Sequence, residues 1–90
     1  MQNIAITLDG IDLDYDLARD LAQLAALRLD PEAVLISWYD RARDIHSPSC
    51  LKCEIKNERG WEVYGRTHGG KFRISLNKEA FVFIYGVMAI

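Results

Sequence analysis

The chain is poor in cysteine, proline and glycine: two, two and six among ninety residues. Two cysteines cannot build the several bridges of a small disulfide scaffold. Two prolines and six glycines exclude a collagen-like or low-complexity chain. No apolar run approaches the roughly 20 residues that a membrane-spanning helix needs. Positive charge is not in excess either: 11 basic residues face 13 acidic ones, for a net charge of −2. That balance argues against a strongly basic nucleic-acid binder. The opening Met1-Gln2-Asn3-Ile4 has neither a basic leader nor an apolar one, so a cytoplasmic location is expected. Cysteines in that compartment are expected to be reduced.

What is present is ordinary globular material. Half of the residues are hydrophobic and 27% are charged. Two Trp, four Tyr and three Phe exclude disorder. The length implies a single domain over residues 1–90 with a thin core. A homodimer that shares apolar surface is the natural remedy for a thin core. Charge is uneven along the chain. Residues 1–45 hold nine acids and four bases, and residues 46–90 hold four acids and seven bases. The bases of the second half alternate with Glu54, Glu58, Glu62 and Glu79, which reads as a solvated mixed-charge surface.

Residues 2–8 alternate, with Ile4, Ile6 and Leu8 on one side, and read as a half-buried strand ended by Asp9-Gly10. Residues 14–28 read as a helix. Leu17, Leu21 and Leu24 form its expected apolar stripe, widened by Ala18, Ala22 and Ala25. Asp12 or Asp14 can cap it, and Asp30-Pro31 stops it. Residues 34–39 read as a strand with Val34, Ile36 and Trp38 on one face and Leu35, Ser37 and Tyr39 on the other. A polar loop follows from Asp40 to Pro48. Residues 50–56 read as a further strand, with Leu51, Cys53 and Ile55 on one side.

Residues 61–67 fit two periods. Helical spacing groups Trp61, Tyr64 and His68 before a Gly69-Gly70 stop, whereas strand parity groups Trp61, Val63 and Gly65. Gly65 weakens the helix and puts the strand slightly ahead. Residues 71–77 alternate cleanly and residues 80–85 are apolar on both faces, which predicts a hairpin whose second strand is central. The expected class is α+β in two layers: one helix on a mostly antiparallel sheet, in the order β-α-β-β-β-β-β. The uncovered sheet face, or the apolar tail Val87-Met88-Ala89-Ile90, is then the expected subunit interface.

Three constellations bear on chemistry. His46, Cys50 and Cys53 offer three metal ligands within eight residues, and His68 a fourth, a set that zinc or iron accepts. Against this, an extended Cys-x-x-Cys sends its thiols to opposite faces. No helix pattern follows Cys53 to favour dithiol redox chemistry. Asp12, Asp14 and Asp16 imitate the start of a calcium loop, but Leu17 stands where the glycine belongs and Gln23 where the bidentate glutamate belongs. The start of a helix explains these acids without a metal.

The third constellation is Trp38, Asp40, Arg41, His46, Trp61, Tyr64 and His68, aromatic and polar residues flanking loops, as in a small-ligand pocket. Their bland explanation is that both Trp are core and both His surface. Asp40 or Asp44 orienting His46 is the one acid–base arrangement on offer. No complete catalytic set is present.

Several segments carry a resemblance: Leu13-Asp14-Tyr15, Trp38-Tyr39-Asp40-Arg41, His46-Ser47-Pro48, Gly60-Trp61-Glu62-Val63-Tyr64 with Gly69-Gly70, and Phe81-Val82-Phe83-Ile84-Tyr85. Together they resemble a family of short uncharacterised proteins, a domain of unknown function, of archaea and sulfate-reducing bacteria. The resemblance implies a free-standing cytoplasmic protein of an anaerobic lifestyle, in which reduced thiols and metals have a place. It transfers no activity. The expectation is a small non-enzymatic binding or interaction module, homodimeric, with a small-molecule or protein partner and without nucleic acid or membrane. The alternative is a metal or dithiol redox protein built on His46, Cys50 and Cys53.

Overall fold

The computed structural model describes residues 1–48 and 58–87. The expected strand over 50–56, both cysteines and residues 88–90 of the tail lie outside the described residues. In chain order the elements are β1 (Gln2–Ile6), α1 (Tyr15–Leu29), β2 (Ala33–Asp40), β3 (Ile45–Ser47), α2 (Gly60–Thr67), β4 (Gly70–Leu76) and β5 (Phe81–Val87). The class is α+β, as the patterns predict. The strands form one sheet in the order β1-β4-β5-β2-β3. Among the described residues only β1 and β4 are parallel; the other pairs are antiparallel. β5 is central, which explains why every residue from Phe81 to Gly86 is buried.

Asp14 caps α1: its side chain accepts a hydrogen bond from the Leu17 N–H at 2.8 Å. Leu29 is the last helical residue and Asp30 the C-cap, as Pro31 requires. The buried stripe differs from the expected one. Ala18, Ala22 and Ala26 are fully buried, whereas Leu24 is 59% exposed and Leu17 and Leu21 are half-buried. The bulk comes from the sheet instead. Phe81, Phe83, Tyr85, Ile74 and Leu76 fill the layer beneath the three alanines. Small residues under a helix let its axis approach a sheet that already carries large side chains.

Residues 61–67 are helical, so the expected fourth strand is replaced by α2. The cause lies in packing. Gly65 is buried against β5 and β2, where a Cβ would lie 2.6 Å from both Ile84 Cδ1 and Ser37 Oγ. The glycine that lowers helix propensity is the residue that lets this helix seat. α2 covers the sheet face opposite α1, giving Tyr39, Trp61, Val82 and Ile84 a core of their own. The architecture therefore has a helix on each face, and the face expected to be free for a subunit contact is occupied.

A bulge shifts β2. Leu35 pairs with Tyr85 but Ser37 pairs with Ile84, leaving Ile36 as the extra residue. The expected face assignment consequently breaks at Ile36. Leu35, Trp38 and Asp40 share the α1 face with Tyr85, Phe83 and Phe81, while Ser37 and Tyr39 share the α2 face with Ile84 and Val82. The loop expected through Pro48 contains a short strand as well, β3, which pairs His46 with Tyr39 and Ile45 with Asp40.

The β4–β5 turn is held from outside. The Asn77 side chain accepts from the Leu8 N–H at 2.8 Å and donates to the Leu8 carbonyl at 3.2 Å. This contact substitutes for a strand neighbour beyond the end of β1.

Candidate functional site

The register divides the expected ligand set between the two faces. Asp40 stands on the α1 face. It is 2% exposed and lines a cleft of about 510 Å³ between the start of α1 and the β2–β3 turn. Asp14, Tyr15, Asp16 and Arg43 supply the other polar walls, and Leu13, Ala42 and Phe81 the apolar ones. Asp14 and Tyr15 are placed there by the helix cap. Asp40 and Phe81 are placed there by being cross-strand partners.

Among the described residues Asp40 is held by Arg43. Arg43 Nε donates to its Oδ2 at 2.6 Å, and the Arg43 backbone N–H donates to its Oδ1 at 3.3 Å. A carboxylate has about four acceptor sites, so this leaves capacity unused. The Arg43 guanidinium also lies 5.7 Å from the centre of the Tyr15 ring, within cation–π range. Behind the cleft, Tyr15 packs on Trp38 with centroids 4.8 Å apart and on Phe83 at 5.8 Å. Burial pushes the Tyr15 hydroxyl above its ordinary pKa, with the nearby Arg19 charge acting in the opposite direction. Three carboxylates face one guanidinium in this lining, and Arg19 lies 4.0 Å from Asp16 beside it, so three negative charges meet two positive ones.

On the α2 face, Tyr39 stacks on Trp61 at 5.2 Å with an interplanar angle of 9°. The guanidiniums of Arg41 and Arg59 lie 5.3 and 5.0 Å from the Tyr39 ring centre. The Tyr39 hydroxyl donates to Asp44 at 3.0 Å, and burial raises its pKa. That hydrogen bond, followed by one from Arg59, holds the Asp44 carboxyl below its usual range. A second cleft of about 470 Å³ adjoins this stack, lined by arginines 41, 59, 66 and 73 and by Glu58, Glu62 and Glu79. Its four arginines are matched by the three glutamates together with Asp44, which pairs with Arg59 at 3.2 Å. Arg73 grips both Glu62 and Glu79, Arg66 donates to Glu58 at 2.7 Å, and Arg41 donates to the Glu79 carbonyl at 3.0 Å. This network binds α2 and the β4–β5 turn to the sheet.

His46 is half-buried, with Nδ1 3.2 Å from the Pro48 carbonyl oxygen. It pairs with Tyr39 while Asp40 pairs with Ile45, so His46 and Asp40 point to opposite faces. The expected His46–Asp40 acid–base pair is therefore not formed. Tyr64 and His68 stack at 3.8 Å on α2, and neither lines either cleft. Trp61 is core at 3% exposure, and its Nε1 is buried with no hydrogen-bond partner among the described residues. Among the described residues no group of three or more His, Cys, Asp or Glu is placed to hold a metal. Cys50 and Cys53 lie outside the described residues.

Sequence reasoning missed Asp14, Tyr15, Asp16, Arg43 and Phe81 as companions of Asp40. A signal was available. Leu13-Asp14-Tyr15 and Trp38-Tyr39-Asp40-Arg41 are two of the segments that carry the family resemblance, and the fold brings the first of them and Asp40 of the second to one cleft.

Residues 1–85 match the family model of a domain of unknown function, DUF5619. The chain belongs to that family. No curated protein is significantly similar to it. Its fold is similar to the crystal structure of AF1514, a novel protein from the archaeon Archaeoglobus fulgidus. The TM-score is 0.82 at 25% sequence identity, and the match covers 99% of this chain and 96% of the other. The arrangement of the described elements thus has a counterpart in a crystal structure. Among the described residues no helix is long and apolar enough to cross a membrane.

Proposed function

We propose that this chain is a small cytoplasmic binding module without catalysis of its own, that it works as a homodimer, and that its ligand site is the Asp40 cleft. The ligand class is a small organic cation. The observation that carries this reading is the buried Asp40 carboxylate at the cleft wall, already engaged by one guanidinium from a side chain that is itself 57% exposed. Asp14 and Asp16 add negative charge, and Tyr15 supplies an aromatic face that accepts cations. An anion would meet three carboxylates there. The α2-face cleft offers no comparable imbalance, because its guanidiniums are already matched.

A thermal-shift screen with cationic, neutral and anionic small molecules of matched size tests the reading. Cations are expected to raise the melting temperature of the wild type, and Asp40→Asn is expected to abolish the rise. Equal stabilisation of both proteins, or stabilisation by anions alone, would overturn it.

A further inference from the structure

β1 is the outer strand at one side of the sheet. Among the described residues it pairs with β4 alone, so part of its backbone N–H and C=O groups points away from the sheet. Proteins commonly protect such an edge by keeping it short, charging it, bulging it or placing proline on it. The opposite edge, β3, is three residues long. β1 has none of the remaining devices. Gln2 to Ile6 contains no proline and no charged side chain, and its register with β4 runs without a shift. In a chain whose residues are 27% charged, the first eight side chains carry no charge at all.

The surface beside this edge is apolar. Gln2, Ile4 and Ile6 share the α1 face, since they pair with Phe72, Ile74 and Leu76. Ile4 and Ile6 are only half-buried there, and Asn3 and Ala5 are exposed on the opposite face. Tyr15 turns one flank of α1 toward Trp38 of β2. On the same layer, Leu21 of α1 packs against the core that Ile4 and Ile6 also touch.

We propose that a second copy of this chain pairs with β1 edge to edge, antiparallel, about a two-fold axis at Ile4, making one continuous sheet from the two. Charge admits this occupant: β1 is neutral along its whole length, so two copies of net charge −2 bring no like-charged side chains of this strand together. The register is self-complementary. Ile4 faces the partner's Ile4 and Gln2 faces the partner's Ile6 over the α1 layer, while Asn3 faces the partner's Ala5 on the other side. Two-fold pairing of this kind closes, which removes the edge rather than propagating it.

The inference rests on the homodimer in the proposed function and not on its cleft. Sedimentation velocity at micromolar concentration tests it. The wild type is expected at twice the 10.3 kDa chain mass. Asn3→Lys with Ala5→Lys sets like charges directly opposite and is expected to sediment as a monomer, as is Asn3→Glu with Ala5→Glu. Mixing the two variants is expected to restore the dimer, because each Lys then faces a Glu. If the Lys pair fails to fold alone, the Glu pair and the mixture still report. A monomeric wild type would overturn the homodimer altogether. A Lys variant that remains dimeric would overturn this surface alone.

Discussion

Gly65 of α2 rests directly on Ile84 of β5. A methyl group at position 65 would lie 2.6 and 2.9 Å from two carbons of that isoleucine. Gly65→Ala would gain about 1 kcal/mol of helix propensity. It would also lift α2 from the sheet at a site bounded by a fully buried Ile84, and overpacking of that kind costs about 1–3 kcal/mol. Net destabilisation is expected from urea unfolding, with the near-ultraviolet signal of Trp61 altered. Stabilisation by Gly65→Ala would show that the close approach does not matter.

Asn77, Lys78 and Glu79 all have positive φ, at 48°, 55° and 68°. Asn77 and Glu79 are held by their hydrogen bonds to Leu8 and Arg73, but Lys78 is exposed. A left-handed conformation costs a non-glycine residue roughly 1–2 kcal/mol, and glycine gives back about half of that as extra freedom in the unfolded chain. Lys78→Gly is therefore expected to stabilise by about 0.5–1 kcal/mol. A lower melting temperature in this variant would contradict the account of the turn.

Glu79 carries an acid-sensitive part of the stability. Its hydrogen bond from Arg73 holds its carboxyl below the ordinary value of 4.5. A depressed carboxyl contributes stability that is fully present above its unfolded value and is lost as pH falls through its folded value. Unfolding free energy should drop as pH falls below about 4.5, and Glu79→Gln should flatten that part of the profile. The effect is small, because the Glu79 side chain is 43% exposed. A profile unchanged by the substitution would remove Glu79 from the account.

Tyr85 predicts the alkaline limit. Burial in the centre of β5 pushes its hydroxyl up to about 12. The unfolded chain releases this proton near pH 10, so the native state alone retains it above that pH. Stability is expected to fall between pH 10 and 12, and Tyr85→Phe should remove part of the fall. Identical alkaline unfolding of both proteins would contradict it.

Much of the fold was legible because its signals are local. Asp14 as a cap, Pro31 as a stop, and the two-sided apolar run of β5 each depend on a few neighbouring residues. The misreadings share a different cause. Gly65 reads against a helix until Ile84 and Ser37 are seen beneath it. Ala18, Ala22 and Ala26 outrank the leucines only because the sheet below already holds Phe81, Phe83 and Tyr85. The bulge at Ile36 has no signature of its own, yet it puts Leu35 on the face of Trp38 and Asp40 instead of the face of Ser37 and Tyr39. Asp40 was therefore readable as a candidate, whereas its separation from His46, Arg41 and Trp61 was not.

Asp40→Asn bears on stability as well as on binding. It weakens a charge-assisted hydrogen bond, and the exposed Arg43 can turn to water, so a loss of about 1–2 kcal/mol is expected from urea unfolding. No loss at all would mean that the Arg43 contact does not hold Asp40 in place.

The most direct test is amide chemical-shift mapping during titration with butylamine and butylguanidinium, with butyrate as the anionic control. The account predicts that the two cations shift the resonances of Asp14, Tyr15, Asp16, Asp40 and Arg43 and leave those around Trp61 and Arg66 unchanged, while butyrate does neither. Shifts confined to the α2 face, or equal response to butyrate, would contradict the assignment of the ligand site to the Asp40 cleft.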